Sequence, residues 1–414
     1  MDKKLFKKDF TLVVIGQVIS LFGNAVARFA LPLYLLNQTG SSALYGTVTA
    51  CAFIPAILLS PVGGIFADRT NKRNIMVALD FFTSIVIFTL LLLLGKVNLV
   101  VLVAVTMMVL YGIAGAYQPS VQASIPALVS QDNFMAANSV INIISSFSSL
   151  TGPVLGGILY SAYGLLPVLW VCMACFLISA VMEIFIKIPF KKQAEAGSIW
   201  QTVKKDFSES INFIKKDKPV IGKVLIMVCG INLFLSSMVI VGLPYIITEV
   251  LDLNGFDPNK LYGYAEGALA AGGLAGGIFA GIFADRLVIK KTTFLITGAA
   301  ICVFPMGITM LLSCPGIVIY AVMAISCFII MVFSTIFTIQ MMSFVQTETP
   351  PQLIGKVIAF ILAVSMCAQP LGNALYGVLF ESCKGFEFAV ILFAGFVSIL
   401  IAARSRKFFC HAFS

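Results

Sequence analysis

Apolar residues in this chain come in long runs of roughly helix-spanning length, interrupted only by Gly, Pro or isolated polar residues and separated by short polar loops. A helix needs about 20 such residues to cross a bilayer core. Twelve runs approach or exceed that length: 11–36, 43–67, 75–95, 99–120, 138–162, 165–186, 220–248, 261–284, 292–312, 316–341, 356–380 and 386–403. A strand-like alternation is absent, so the pattern predicts an all-α membrane protein with twelve transmembrane helices.

The pattern also repeats itself. Gly64-Ile65-Phe66-Ala67-Asp68-Arg69, at the end of the second run, recurs as Gly281-Ile282-Phe283-Ala284-Asp285-Arg286, 217 residues further on. The same offset carries Arg73 onto Lys290 and Pro153 onto Pro370. A fixed offset over so much chain marks an internal repeat, and six runs fall in each copy. The organisation expected is a first six-helix bundle over 1–190, a linker over 191–218, and a second bundle with a short tail over 219–414. Within the linker region Ile199, Val203, Phe207, Ile211 and Ile214 recur at three- or four-residue steps, with Lys204, Lys205, Lys215 and Lys216 between them. That is an amphipathic helix lying on the membrane face.

Composition agrees: hydrophobic residues are 60% of the 414 and charged residues 11%. Mean hydropathy is +1.03. Soluble domains run at about a quarter charged residues, so a soluble fold is excluded. The net charge of +9 is not a nucleic-acid footprint, because the basic residues sit in loops between apolar runs. With the N-terminus on the cytoplasmic side, every Lys and Arg except Arg28, Lys96, Lys260 and Lys384 falls on that side. Both termini are therefore expected to be cytoplasmic. The first run is too long for a secretory h-region and is expected to remain as the first helix. The ten cysteines lie mostly within runs, as small apolar side chains. No His/carboxylate metal set, Ser–His pair or phosphate loop is present, so neither an enzyme, a metal nor a cofactor is expected.

Two motifs carry mechanism. In Gly64-Ile65-Phe66-Ala67-Asp68-Arg69-Thr70-Asn71-Lys72-Arg73 a carboxylate at a helix–loop junction can face the positive end of another helix or hold an Arg. In Gly152-Pro153-Val154-Leu155-Gly156-Gly157 the proline removes a backbone donor and the glycines admit a neighbouring backbone. The first resembles the signature loop of the major facilitator superfamily, with Asn71 where that family usually has Gly. The second resembles that superfamily's exporter-associated GPxxGG motif. Gly16-Gln17, Leu31-Pro32, Thr39-Gly40-Ser41, Phe53-Ile54-Pro55, Asp80 and Gly355-Lys356-Val357 are similar to its macrolide-efflux and siderophore-exporter branch.

The resemblance implies two pseudo-symmetric six-helix bundles, the major facilitator fold. It implies a transporter of the cell membrane, exporting amphiphilic small molecules by alternating access and driven by a proton gradient. The alternative it leaves open is a dedicated exporter of one endogenous metabolite such as a siderophore, or a lipid-like flippase. It also implies a monomer whose partners are a small-molecule substrate, protons and the lipid bilayer. Gating falls to Gly64, Asp68, Arg69, Lys72, Arg73, Asp80, Asp285 and Arg286, with Asp68 facing the start of the eleventh span near Lys356. The exporter motif is Gly152, Pro153, Gly156 and Gly157. The cavity lining expected from the first, fourth, seventh and tenth spans is Gln17, Asn24, Arg28, Tyr111, Tyr117, Gln118, Asn232, Tyr245, Phe337, Gln340 and Met341. Charges within a membrane are functional candidates. Of these, Glu266 and Asp80 are the proton-coupling candidates, Arg73 and Asp80 are spaced to pair, and Glu183 is read as an i,i+4 partner of Lys187.

Overall fold

The computed structural model describes residues 6–130, 133–188, 199–282, 292–350 and 353–412. Among them there is no strand, and twelve helices are long and apolar enough to cross a bilayer. In lipid only a helix satisfies its own backbone donors and acceptors within one segment, which is why apolar runs of this length take that form.

The helices are α1 (Lys8–Thr39), α2 (Ser42–Arg69), α3 (Lys72–Leu93), α4 (Leu99–Leu128), α5 (Phe134–Tyr163) and α6 (Leu165–Ile184). A non-spanning helix follows, α7 (Ile199–Asn212). The second set is α8 (Pro219–Val250), α9 (Pro258–Ile282), α10 (Thr293–Leu311), α11 (Gly316–Glu348), α12 (Ile354–Ser382) and α13 (Glu387–Ala412). Local chemistry sets several ends. The Asn71 side chain accepts from the Arg73 N–H at the start of α3, and Asn98 does the same for Val101 at the start of α4. A single residue, Gly164, separates α5 from α6 at φ 73°, a conformation that favours glycine. Helix α4 runs eight residues past the apolar stretch that predicted it, because Pro119 and Pro126 do not end it.

The chain packs as two compact units, Met1–Leu35 with Cys51–Ile199, and Leu36–Ala50 with Trp200–Ser414. In the first, α3 lies between α4 and α6, and α5 packs on both of those. Helix–helix association in lipid depends on close fit, not on the hydrophobic effect. The exporter-type motif supplies it: Gly152 sits against Ala25 of α1, leaving no room for a side chain, and Gly156 packs closely on Phe29. An apolar plug of Phe10, Val13, Met76, Ile186 and Ile188 with Val121, Ile125 and Ile141 fills one end of this unit.

In the second unit α9 packs on α11, α10 on α13, and α8 on α12 and α13. The α9 seam is again glycine: Gly272 lies under the Phe328 carbonyl and Gly276 under that of Val332. The beginning of α2 belongs to this unit. The Ser42 hydroxyl donates to the Gly377 carbonyl (3.0 Å), and the Gly46 and Gly377 backbones touch.

Candidate functional site

Within the first unit the predicted residues separate into two groups. Arg28 of α1 lies half-buried with its guanidinium carbon 3.4 Å from the centre of the Tyr111 ring. Phe53 meets the same ring edge-on at 5.1 Å between centroids. Asn24 and Gln118 are half-buried nearby in sequence, on α1 and α4. Among the described residues no carboxylate pairs with Arg28. Its charge rests on an aromatic face, an attraction worth about 0.5–2 kcal/mol.

Gln17 and Tyr117 belong to a different place. The Gln17 amide donates to the Tyr117 hydroxyl (2.8 Å), which donates to Glu183 Oε1 (2.7 Å). The Ser20 hydroxyl donates to Asp80 Oδ1 (3.0 Å), and Ser179 donates to the Gly16 carbonyl (3.1 Å). Ser179 and Tyr117 also lie against the Asp80 carboxyl, so the Asp80 and Glu183 carboxyls share Tyr117. Gln17, Ser179 and Glu183 have no exposed surface, and Asp80 has 2%. This cluster is drawn from α1, α3, α4 and α6.

Two sequence expectations fail here. Asp80 does not pair with Arg73: seven residues along a helix is about 10 Å, and Asp80 turns inward to Ser20. Glu183 does not pair with Lys187, because α6 ends at Ile184 and Lys187 is no longer one turn along the same face. The Lys187 backbone N–H instead donates to Asp9 Oδ1 (3.0 Å), and Glu183 is a core residue.

In the second unit, Asn232 donates from its amide to the Ser365 carbonyl of α12 (3.0 Å) and opens a π-helical turn, Asn232–Ser236. A second such turn, Ile246–Val250, ends α8. Turns of this kind inside α-helices concentrate at functional sites. Asn232 and Phe337 line one pocket between α8, α10 and α11 together with Ser236, Phe333, Ser334 and Thr338. Those last four were not predicted; for Ser236, Ser334 and Thr338 a hydroxyl inside an apolar run was the only signal, and Phe333 gave none. Gln340 and Met341 are buried on α11. Tyr245 is buried away from that pocket, its ring 5.8 Å from Phe380. Glu266 is half-buried and accepts from Tyr262 one turn earlier on α9 (3.1 Å).

Of the residues expected to gate, Gly64, Asp68 and Arg69 fall on the last turns of α2, with their side chains outside the described set. Asp285 and Arg286 lie outside the described residues altogether. Lys72 and Arg73 open α3. Lys356, near the expected partner of Asp68, is held by the linker helix: its ammonium meets Asp206 (2.8 Å) and Glu209 (2.6 Å) of α7. The lysine holds the Glu209 carboxyl below the usual carboxylate range by hydrogen bonding to it. The Phe207 ring stands edge-on to Phe360, 5.2 Å away. Phe207 of the α7 apolar stripe, expected on the membrane face, thus meets α12, while Ile214 lies against Gly222 of α8. The exporter-motif glycines Gly152 and Gly156 lie in the α1 seam, with Pro153 inside α5 and Gly157 buried.

The family model of the Major Facilitator Superfamily matches residues 13–404. Macrolide efflux protein A of Streptococcus pyogenes is 22% identical over 378 residues, 89% of each chain. The multidrug efflux pump Tap of Mycolicibacterium fortuitum is 21% identical, covering 90% of this chain and 89% of its own. Among solved structures, that of the nucleoside transporter NupG superposes with a TM-score of 0.76 at 14% identity, over 98% of this chain and 99% of that one.

Proposed function

The chain belongs to the Major Facilitator Superfamily, and from that premise we propose that it exports amphiphilic small molecules by proton antiport. As a member it is a transporter and not an enzyme, a multi-pass protein of the plasma membrane that moves small molecules. The finer reading has the termini cytoplasmic, the two bundles alternating in access, and Asp68 latching them when the inner side is closed.

The observation that carries export is the α5 seam, where Gly152 and Gly156 press against Ala25, Val26 and Phe29 of α1. In the exporter-type motif the glycines serve this close approach. Likeness to two efflux proteins over about nine-tenths of the chain supports the same direction. Arg28 over Tyr111, flanked by Phe53, supplies a cation and aromatic faces inside an apolar span, the means of holding an apolar body with a polar or acidic group. In the second unit, Asn232, Phe337, Gln340 and Met341 are the proposed lining.

The test is efflux of a fluorescent dye and of a macrolide from energised cells, with and without a protonophore. Protonophore-sensitive efflux absent from the empty vector is expected. Its absence, with the protein confirmed in the membrane, turns the reading to a dedicated exporter of one endogenous metabolite such as a siderophore, whose acidic groups Arg28, paired with no carboxylate among the described residues, would suit.

A further inference from the structure

The polar cluster of the first unit is short of hydrogens. Four of its five hydrogens are already used: one of the Gln17 amide on Tyr117, the Tyr117 hydroxyl on Glu183, Ser20 on Asp80, and Ser179 on the Gly16 carbonyl. Three acceptors remain buried with no hydrogen-bond partner: Asp80 Oδ2, Glu183 Oε2 and Gln17 Oε1. Buried oxygens in native proteins are nearly always satisfied. Here three orphans share one site, two of them on carboxyl groups that meet the same tyrosine.

Charge points the same way. Among the described residues no Lys, Arg or His pairs with either carboxyl. The charged neighbours on these helices lie away from the two carboxyls. On α1, Asp9 accepts from the Lys187 backbone and Arg28 lies over Tyr111. On α3, Arg73 is two turns away, and α4 contributes only Tyr117. Two negative charges buried side by side without a cation cost several kcal/mol each, and more within a bilayer. A proton removes one charge and supplies the missing donor in a single step.

We propose that Asp80 and Glu183 form a shared proton-binding site, held by Tyr117, Gln17, Ser20 and Ser179, and that this site couples transport to the proton gradient. The coupling half rests on the antiport reading above; the proton-binding half does not. Protonation converts one carboxylate to a carboxyl and adds a donor to a cluster whose acceptors outnumber its hydrogens. Release leaves both ionised and mutually repelled, which drives α3 and α6 apart. Water is kept out on one side by the apolar plug: Met76 lies one turn before Asp80, Val13 one turn before Gln17, and Ile186 three residues after Glu183. Tyr117 and Gln17, expected to line a cavity, are positioning residues here. Asp80 was a sequence candidate for coupling; Glu183 was not.

The test has two readouts. The infrared carbonyl stretch of a protonated carboxylic acid is followed by pH titration of the full chain in nanodiscs. Expected is a band that persists at neutral pH and is lost in both Asp80→Asn and Glu183→Gln. No such band in the wild type, or one unchanged in both variants, overturns the site. A band that disappears when sodium replaces a bulky organic cation at constant pH also overturns it, because the site would then bind a metal cation. The second readout is gradient-driven accumulation of Hoechst 33342 in inverted vesicles. If the wild type accumulates the dye, each variant is expected to fall to the empty-vector level. Full accumulation by either variant overturns the coupling role. A wild type with the band but no gradient-driven transport of this dye or of a macrolide leaves the proton site standing and sinks the antiport reading instead.

Discussion

Glu183 shows how little one residue's neighbours in sequence say about its role. Lys187 stands four positions on, the arrangement that stabilises exposed helices, yet the carboxyl is fully buried against Tyr117. The partner is 66 residues away in the chain, and only packing of α4 on α3 and α3 on α6 brings it near. Gly152 is the opposite case, because its motif announced a close helix contact and the structure supplies Ala25 as the surface it meets. Replacing Gly152 with Leu forces a branched side chain into that seam. Overpacking of this kind costs about 1–3 kcal/mol. A lower melting temperature in detergent and loss of transport are expected, while Gly164→Leu, at a site with open space but φ 73°, should lower stability through backbone strain alone. Melting the two purified variants side by side, with transport assayed in parallel, checks this; a Gly152→Leu protein as stable and active as wild type contradicts the seam.

Among the elements, α7 was legible as an amphipathic helix but not as to what its apolar face would meet. Its stripe of Phe207, Ile211 and Ile214 is sufficient for lipid or protein. The acidic residues Asp206 and Glu209, set beside Lys356 at the start of α12, decide for protein. Both acids are partly exposed, so the attachment is screened by salt. Because Lys356 holds the Glu209 carboxyl below its ordinary range, docking is favoured at any pH above that range. It weakens as pH falls through the lowered value and the carboxylate is protonated. Spin labels at Lys205 and Ala359 are expected to report one short distance at neutral pH and low salt. A broad distribution is expected in acid, in high salt or in Lys356→Ala; an unchanged distance in all three removes the ion pairs from the attachment. The two π-helical turns of α8 were not legible at all, since no composition marks a turn widened by one residue.

For the whole molecule, the latch assigned to the Asp68 loop is the sharpest prediction that the sequence alone supports. Asp68→Asn preserves size and hydrogen bonding but removes the charge that would face a helix N-terminus or an Arg. Transport is expected to vanish with normal protein levels in the membrane fraction; efflux at the wild-type rate sinks the latch. Fold class and family were legible throughout, because each rests on local facts. Runs of apolar residues must become helices in lipid, and a repeated phrase at one offset must be two copies of one unit. What the sequence could not determine is which polar side chains face one another. Gln17, Asp80, Tyr117 and Glu183 come from four helices, and an α-helix offers every residue a different azimuth at 3.6 residues per turn. Rotation of each helix about its axis is set by packing at seams such as Gly152 on Ala25 and Gly272 on Phe328. So the sequence determined how many times the chain crosses the membrane and where the glycines and charges lie along it. The tertiary structure decided that Arg28 meets an aromatic ring and that two buried carboxyls gather at Tyr117, with no cation paired to either among the described residues.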